Sequence, residues 1–207
     1  MIYGLQKITF IDYPNEVSFM IFLGGCNFRC PYCHNKSIVF KTSDMIKESD
    51  VIKMLEERFN FIKHVVITGG EPTIYGDKLI ELFKKIKNIG YDIKLDTNGT
   101  NPDVIKKLLD LKLVSYFAMD IKNAFSKYNE TTGVNVNINN IKESIKLIEN
   151  SGIPYIFRST INKTMHNKKD IDEIKTYIKD KSKLIFQDYK YSKEQIVDKD
   201  FGKYEKL

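Results

Sequence analysis

Two hydrophobic periods take turns along this chain. Residues 17–23, Val-Ser-Phe-Met-Ile-Phe-Leu, form a nearly continuous apolar run rich in β-formers, as a strand buried on both faces requires. A lead-in over residues 1–15 precedes it, with a short strand predicted at Ile8-Thr9-Phe10-Ile11 and a turn at Asp12-Tyr13-Pro14-Asn15. Further on, Ser49 is placed to cap a helix that carries Ile52, Leu55 and Phe59 on one face. Residues 64–68 read as a strand, followed by a helix with Leu79, Phe83 and Ile86 in register and Gly90 as a left-handed stop. A strand over 91–96 leads to Asn101-Pro102, a cap and first helical residue, and then to Ile105, Leu108 and Leu109. Residues 114–119 form the next strand. A longer polar connection, about 123–139, separates it from a helix with Ile141, Ile145 and Ile148 that stops at Gly152. The last pair of strands, 155–160 and 184–188, flanks a helix through Ile171, Ile174 and Ile178. Residues 189–207 are polar and aromatic without a clear period, a short helix or a docked tail.

Strand and helix alternate about six times, which predicts an α/β fold with a parallel sheet and right-handed crossovers. The pattern fits an open sheet as well as a partial barrel. Both place ligands at the carboxyl ends of the strands. Polar residues gather at those ends: Gly69-Gly70-Glu71, Asp96-Thr97-Asn98, Asp120 with Lys122, Arg158 with Thr160, and Gln187 with Asp188.

The 207 residues suit one core domain, 1–188, with the tail at 189–207. No apolar run reaches the roughly 18 residues of a spanning helix, and the amino terminus lacks a secretory pattern. The formal charge of +6 is carried largely by lysines at polar helix positions such as Lys84, Lys106 and Lys142, with no basic run. That reads as a solvated exterior, with neither nucleic acid nor membrane as partner. The chain's three cysteines crowd into eight positions, a metal-type arrangement that points to a reducing cytoplasm.

Those cysteines, Cys26, Cys30 and Cys33, follow the strand at 17–23 with the spacing C-x3-C-x2-C. A structural zinc with His34 as fourth ligand is one reading, but zinc sites usually pair ligands on separate elements, and no second pair exists. Inert buried cysteine fits isolated residues better than this cluster. The spacing favours a [4Fe-4S] cluster on three thiolates, with one iron left for a substrate ligand. Phe28 and Tyr32 would shield it, and Gly24 and Gly25 would let the backbone approach.

Cys26-x3-Cys30-Pro31-Tyr32-Cys33-His34-Asn35 resembles the signature loop of radical S-adenosylmethionine enzymes, and Gly69-Gly70-Glu71-Pro72 resembles the segment that meets the methionine amino group. The Tyr32-Cys33-His34-Asn35 ending, Asp96-Thr97-Asn98-Gly99 and Asp120-Ile121-Lys122 are together similar to glycyl-radical-enzyme activases, and the opening from Gly4 to Pro14 looks most like the anaerobic ribonucleoside-triphosphate reductase activating branch. Asn15 stands where that branch tends to have Gly, which is expected to alter only a turn.

The resemblance implies a partial (β/α)6 barrel of parallel strands with the site at their carboxyl ends, a [4Fe-4S] cluster and S-adenosylmethionine. Reductive cleavage of the sulfonium would give a 5′-deoxyadenosyl radical that takes hydrogen from a glycine of a partner, anaerobic ribonucleotide reductase or a relative. A low-potential flavodoxin or ferredoxin would supply the electron. The cysteines would hold the metal. Tyr32, Cys33, His34, Gly69, Gly70, Glu71, Asp96, Asn98, Asp120, Lys122, Arg158 and Gln187 would meet the nucleoside. Within that set Asp120 and Lys122 are expected at the ribose or carboxylate, Arg158 at the carboxylate, and Gln187 at adenine. Asp96, Thr97 and Asp120 together offer hard oxygens for a monovalent cation, and His64 and His166 read as structural or surface residues. Two other classes compete: a radical enzyme acting on a small molecule or nucleoside, such as a deazapurine-forming synthase, and a metal-binding module without catalysis.

Overall fold

A computed structural model describes residues 1–204. The strands are β1 (Ile2–Tyr13), β2 (Glu16–Leu23), β3 (His64–Gly69), β4 (Asp92–Thr97), β5 (Tyr116–Asp120), β6 (Tyr155–Ile161) and β7 (Leu184–Asp188). The helices are α1 (Lys36–Phe40), α2 (Glu48–Arg58), α3 (Asp77–Ile89), α4 (Pro102–Asp110), α5 (Tyr128–Thr132), α6 (Ile138–Glu149) and α7 (Lys168–Thr176). All seven strands join one sheet in chain order, β1 to β7. Only β1 runs antiparallel to its neighbour; β2 through β7 are parallel. Each parallel neighbour follows its predecessor in sequence, so the sheet curls in one direction, and β1 and β7 remain as edges of an unclosed barrel.

The two faces of the sheet do different work. Phe19, Ile21, Val65, Ile67, Ile93, Leu95, Phe117 and Phe157 are buried in the large core, which also takes Leu79, Phe83 and Ile86 of α3 and Ile141, Ile145 and Ile148 of α6. The alternate positions form the barrel interior, with a small apolar plug of Tyr13, Met20 and Val66, against which Phe22 and Tyr116 pack. Above that plug the interior turns polar: Thr68, Asp96, Asp120, Arg158, Thr160 and Gln187 share its parity.

The lead-in departs from the prediction. It is not a four-residue strand but the twelve residues of β1, because the backbone pairs with β2 from Ile2↔Leu23 to Tyr13↔Glu16 through several register shifts. Its side chains gave no periodic signal because Ile8, Phe10 and Ile11 are exposed. Asn15 sits in the hairpin turn at φ 61°, a left-handed conformation that Asn, like Gly, tolerates. Helix α2 starts at Glu48 with Lys47 as cap; Ser49 lies inside it, its hydroxyl donating to Asp50, and the buried positions are Val51 and Leu55. Ile52 and Phe59 are half-buried. The polar connection at 123–139 is packed, with a 3-10 turn at Phe125–Lys127, α5, and Tyr128, Thr131 and Thr132 all buried. The segment after β7 is a docked tail without a helix as far as it is described; 205–207 lie outside the described residues. Among the described residues no helix is long and apolar enough to cross a membrane.

Phe117 sits fully buried on the inner strand β5. Phe117→Ala should lower the unfolding free energy by about 3–5 kcal/mol in denaturant titrations, the usual range for emptying a buried phenylalanine site.

Candidate active site

The cysteine loop leaves β2 at Gly24 and is anchored on every side by backbone. Gly24 N–H donates to Met1 O (3.0 Å), Gly25 N–H to Ile38 O (2.8 Å), and Arg29 N–H to Thr132 O of α5 (2.7 Å). The Arg29 guanidinium folds back to donate to the carbonyls of Cys26 (2.6 Å) and Phe28 (2.7 Å). From the far end of the chain, Ile196 N–H donates to Cys33 O (3.1 Å) and Val197 N–H to Pro31 O (2.9 Å). Tyr189 and Phe201 of the tail stand edge-on to the Tyr32 ring. The tail therefore forms one wall of the loop.

Glycines make the junction of this loop with β3 possible. A Cβ on Gly69 would stand 2.3 Å from Leu23 O, and one on Gly70 only 1.9 Å from Gly25 O. Without side chains there, Gly70 N–H reaches Leu23 O (2.9 Å) and Glu71 N–H reaches Gly25 O (2.8 Å). The Glu71 side chain is buried and occupied. Its Oε1 accepts from Thr73 N–H (3.0 Å), the Thr73 hydroxyl and the Thr97 hydroxyl (2.7 Å), and its Oε2 accepts from Asn98 N–H (2.6 Å). Burial pushes its carboxyl above the usual range in spite of these donors. The segment thus presents backbone to the cavity while its carboxylate holds the ends of β3 and β4 together.

Every residue that the sequence assigned to metal or cofactor lines one cavity of about 520 Å³, a size suited to a small-molecule ligand. Across its floor, Arg158 Nε donates to Asp120 Oδ1 (2.9 Å), Lys122 Nζ to Asp120 Oδ2 (3.0 Å), and the guanidinium reaches Asp96 Oδ2 at 3.4 Å. Burial alone would raise the Asp120 carboxyl, but Arg158 and Lys122 hold it down at about 2. Gln187 lies at the exposed rim on β7, and Asp12 of β1 lines the same cavity from the other edge. Asp188, the other polar residue at the end of β7, pairs with Lys203 of the tail instead.

Other residues at the cavity, such as Asn35, or packed beside it, such as Asn27 and Lys94, were not singled out from the sequence. Asn35 donates to Gly69 O (3.2 Å), Asn27 bonds Asn98 and Thr100, and Lys94 pairs with Asp96 two positions below it on β4. Only Lys94 carried a usable signal, the two-residue spacing that puts it on the face of Asp96. His166, expected to be structural or at the surface, is buried: its Nδ1 accepts from Asn162 N–H (3.3 Å), leaving Nε2–H to donate to Lys122 O (3.0 Å).

The thiols fit an iron–sulfur group. Burial pushes the Cys26 thiol up to about 11 and the Cys30 thiol to about 12, so neither would ionise at neutral pH without a metal to replace the proton. No trio of His, Cys, Asp or Glu among the described residues is gathered as a single-ion site. The Tyr32 hydroxyl, buried beside the cysteines, has no protein partner.

Two outcomes follow from these contacts. Glu71→Gln should cost about 1–3 kcal/mol in chemical denaturation, since an amide cannot accept from all four donors. Burial lowers the pKa of His166, so between that value and the unfolded one, about 6.5, only the unfolded chain binds the proton. Stability should therefore decline as pH falls below about 6.5, and His166→Asn should flatten that part of a stability–pH profile.

The sequence profile of the Radical SAM superfamily matches residues 20–180. A Methanocaldococcus jannaschii protein provisionally named a glycyl-radical enzyme activating enzyme is 35% identical over 184 residues, covering 87% of this chain and 76% of its own length. A pyruvate formate-lyase-activating enzyme of Clostridium pasteurianum is 27% identical, with 82% and 71% covered. The 7-carboxy-7-deazaguanine synthase of Aquifex aeolicus is 37% identical over a shorter stretch, 40% of this chain and 36% of that one. Among solved structures, Streptococcus suis SuiB bound to its precursor peptide SuiA aligns with a TM-score of 0.66 at 18% identity, over 87% of this chain and 41% of its own, a likeness of fold alone. The profile match runs from within β2 to just past α7, the part of the chain that builds most of the cavity, and the chain therefore belongs to the radical SAM superfamily.

Proposed function

We propose that this protein is a glycyl-radical-enzyme activase, with anaerobic ribonucleoside-triphosphate reductase as its partner. The observation that carries the reading is the reach of the likeness to the M. jannaschii protein of that provisional name, over 87% of this chain rather than over the cysteine loop alone. The open barrel supports it. The cavity is lined by Asp12 on edge strand β1 and by Gln187 on edge strand β7, with no strand among the described residues pairing across the gap, which leaves a side through which a partner's backbone loop can enter.

Family membership implies a [4Fe-4S] cluster and S-adenosylmethionine, which together supply one-electron cleavage of the sulfonium and a radical able to strip hydrogen from a glycine Cα. In this reading Cys26, Cys30 and Cys33 hold the cluster, with Tyr32 and His34 beside it. The backbone at Gly69, Gly70 and Glu71 receives the methionine amino group. Asp120, Lys122 and Arg158 orient the carboxylate and ribose, Asp96 and Asn98 close the same side, and Gln187 meets the adenine edge. The protein positions these groups and keeps water from the radical. The electron donor is a flavodoxin or ferredoxin of the reducing cytoplasm.

Anaerobic reconstitution with iron and sulfide should give a brown protein that forms 5′-deoxyadenosine and methionine on reduction. Mixed with the reductase, it should raise a glycyl doublet in the electron paramagnetic resonance spectrum. Cleavage without a doublet on any glycyl-radical enzyme would favour a small-molecule substrate, and no 5′-deoxyadenosine at all would remove the enzymatic reading.

A further inference from the structure

Five charged side chains run through the barrel interior with alternating sign: Lys94, Asp96, Arg158, Asp120 and Lys122. Lys94 Nζ lies 2.6 Å from Asp96 Oδ1, and the guanidinium of Arg158 lies 3.4 Å from Asp96 Oδ2 and 2.9 Å from Asp120 Oδ1. Lys122 closes the run 3.0 Å from Asp120 Oδ2. Both oxygens of both carboxylates are thus taken by side-chain cations. Lys94 is the deepest member, its side chain only 5% exposed.

By residue type, Asp96, Thr97 and Asp120 suit a monovalent cation, but their side-chain oxygens are already engaged. The Thr97 hydroxyl donates to Glu71 Oε1 (2.7 Å) and accepts from Gly99 N–H (3.1 Å). Arg158 stands between the two aspartates. Three cations against two carboxylates leave this run of five with one positive charge in a partly dehydrated space, the two other carboxylates of the cavity being engaged elsewhere, Glu71 by its four donors and Asp12 by the Thr9 hydroxyl. There another cation is repelled, and an anion completes the balance.

We infer that Lys94 and Arg158 take the place of a bound monovalent cation, so that this cavity receives the carboxylate of its ligand without sodium or potassium. Lys94 acts as a positioning residue: it touches no ligand but fixes Asp96, which with Asp120 holds the Arg158 guanidinium. The spare positive charge is then available to the ligand carboxylate. This rests on the reading of the cavity as a S-adenosylmethionine site, and it holds whether or not the substrate is a glycyl-radical enzyme.

The test uses the reconstituted protein with its cluster oxidised, so that no turnover occurs. Binding of radiolabelled S-adenosylmethionine is measured by equilibrium dialysis in sodium, potassium or tetramethylammonium chloride at constant ionic strength, the last ion being too large to enter. The affinity of the unaltered protein should be the same in all three. Lys94→Met should weaken binding about tenfold in tetramethylammonium, with recovery in potassium or sodium, since cation and ligand are then linked. Lys94→Arg should restore cation independence, a rescue that a merely space-filling role would not give. Separately, sodium-23 relaxation of the protein without nucleoside should detect no specific site. Specific sodium binding there, or an affinity of the unaltered protein that drops about tenfold in tetramethylammonium, would overturn the inference. So would a Lys94→Met variant as indifferent to salt as its parent. If that variant does not fold, the unaltered protein still decides the matter in the three salts. Failure to bind nucleoside in any salt would remove the cofactor reading, while the sodium experiment would still decide this one.

Discussion

The Glu71 carboxylate, buried among four donors, fixes the end of β3 to the end of β4, and the cavity mouth is assembled on that join. Stripping water from a carboxylate costs several kcal/mol, and hydrogen bonds of good geometry are what offset it. Here they come from Thr73 on one loop and from Thr97 and Asn98 on another, so neither loop can drift without exposing an unmet charge. Glu71 N–H bonds Gly25 O, and the same residue thereby ties both loops to the cysteines. A residue that reads in sequence as a ligand group works in the fold as a fastening.

How much of this was legible depended on whether the signal was periodic or spatial. The strands at 17–23 and 64–68 announced themselves because a parallel strand buried on both faces is an apolar run whatever packs on it. The site residues were legible for a related reason: parallel connectivity sends every strand end to one side, so polar punctuation after each strand gathers without knowledge of contacts. The full length of strand β1 escaped notice, although its Ile8–Ile11 stretch was read as a strand, because an edge strand obeys pairing rather than burial. Pairings among charged groups were also hidden. Nothing local in the sequence says that Thr97 turns to Glu71, or that Arg158 joins Asp96 to Asp120, because those partners lie 26 to 62 residues apart.

The interior illustrates how an incomplete barrel can be polar. A closed barrel fills its lumen with stacked side chains, largely branched and apolar. In this one the apolar plug of Tyr13, Met20 and Val66 seals only one end. Above it the strands put charges where a ligand can reach them, and those charges neutralise each other nearly but not fully. The remaining imbalance sets a sign preference for whatever enters. His166 adds rigidity from outside the sheet by holding the Lys122 carbonyl.

The wall formed by the tail has a consequence for the order of assembly. Ile196 and Val197 bond the carbonyls of Cys33 and Pro31, yet more than 160 residues separate them in the chain. A polypeptide made from its amino end displays its thiols long before the segment that will cover them has left the ribosome. Metal loading and wall closure are thus separable in time. The nascent protein passes through a stage in which the cysteine loop can be approached from a direction that the mature molecule has shut.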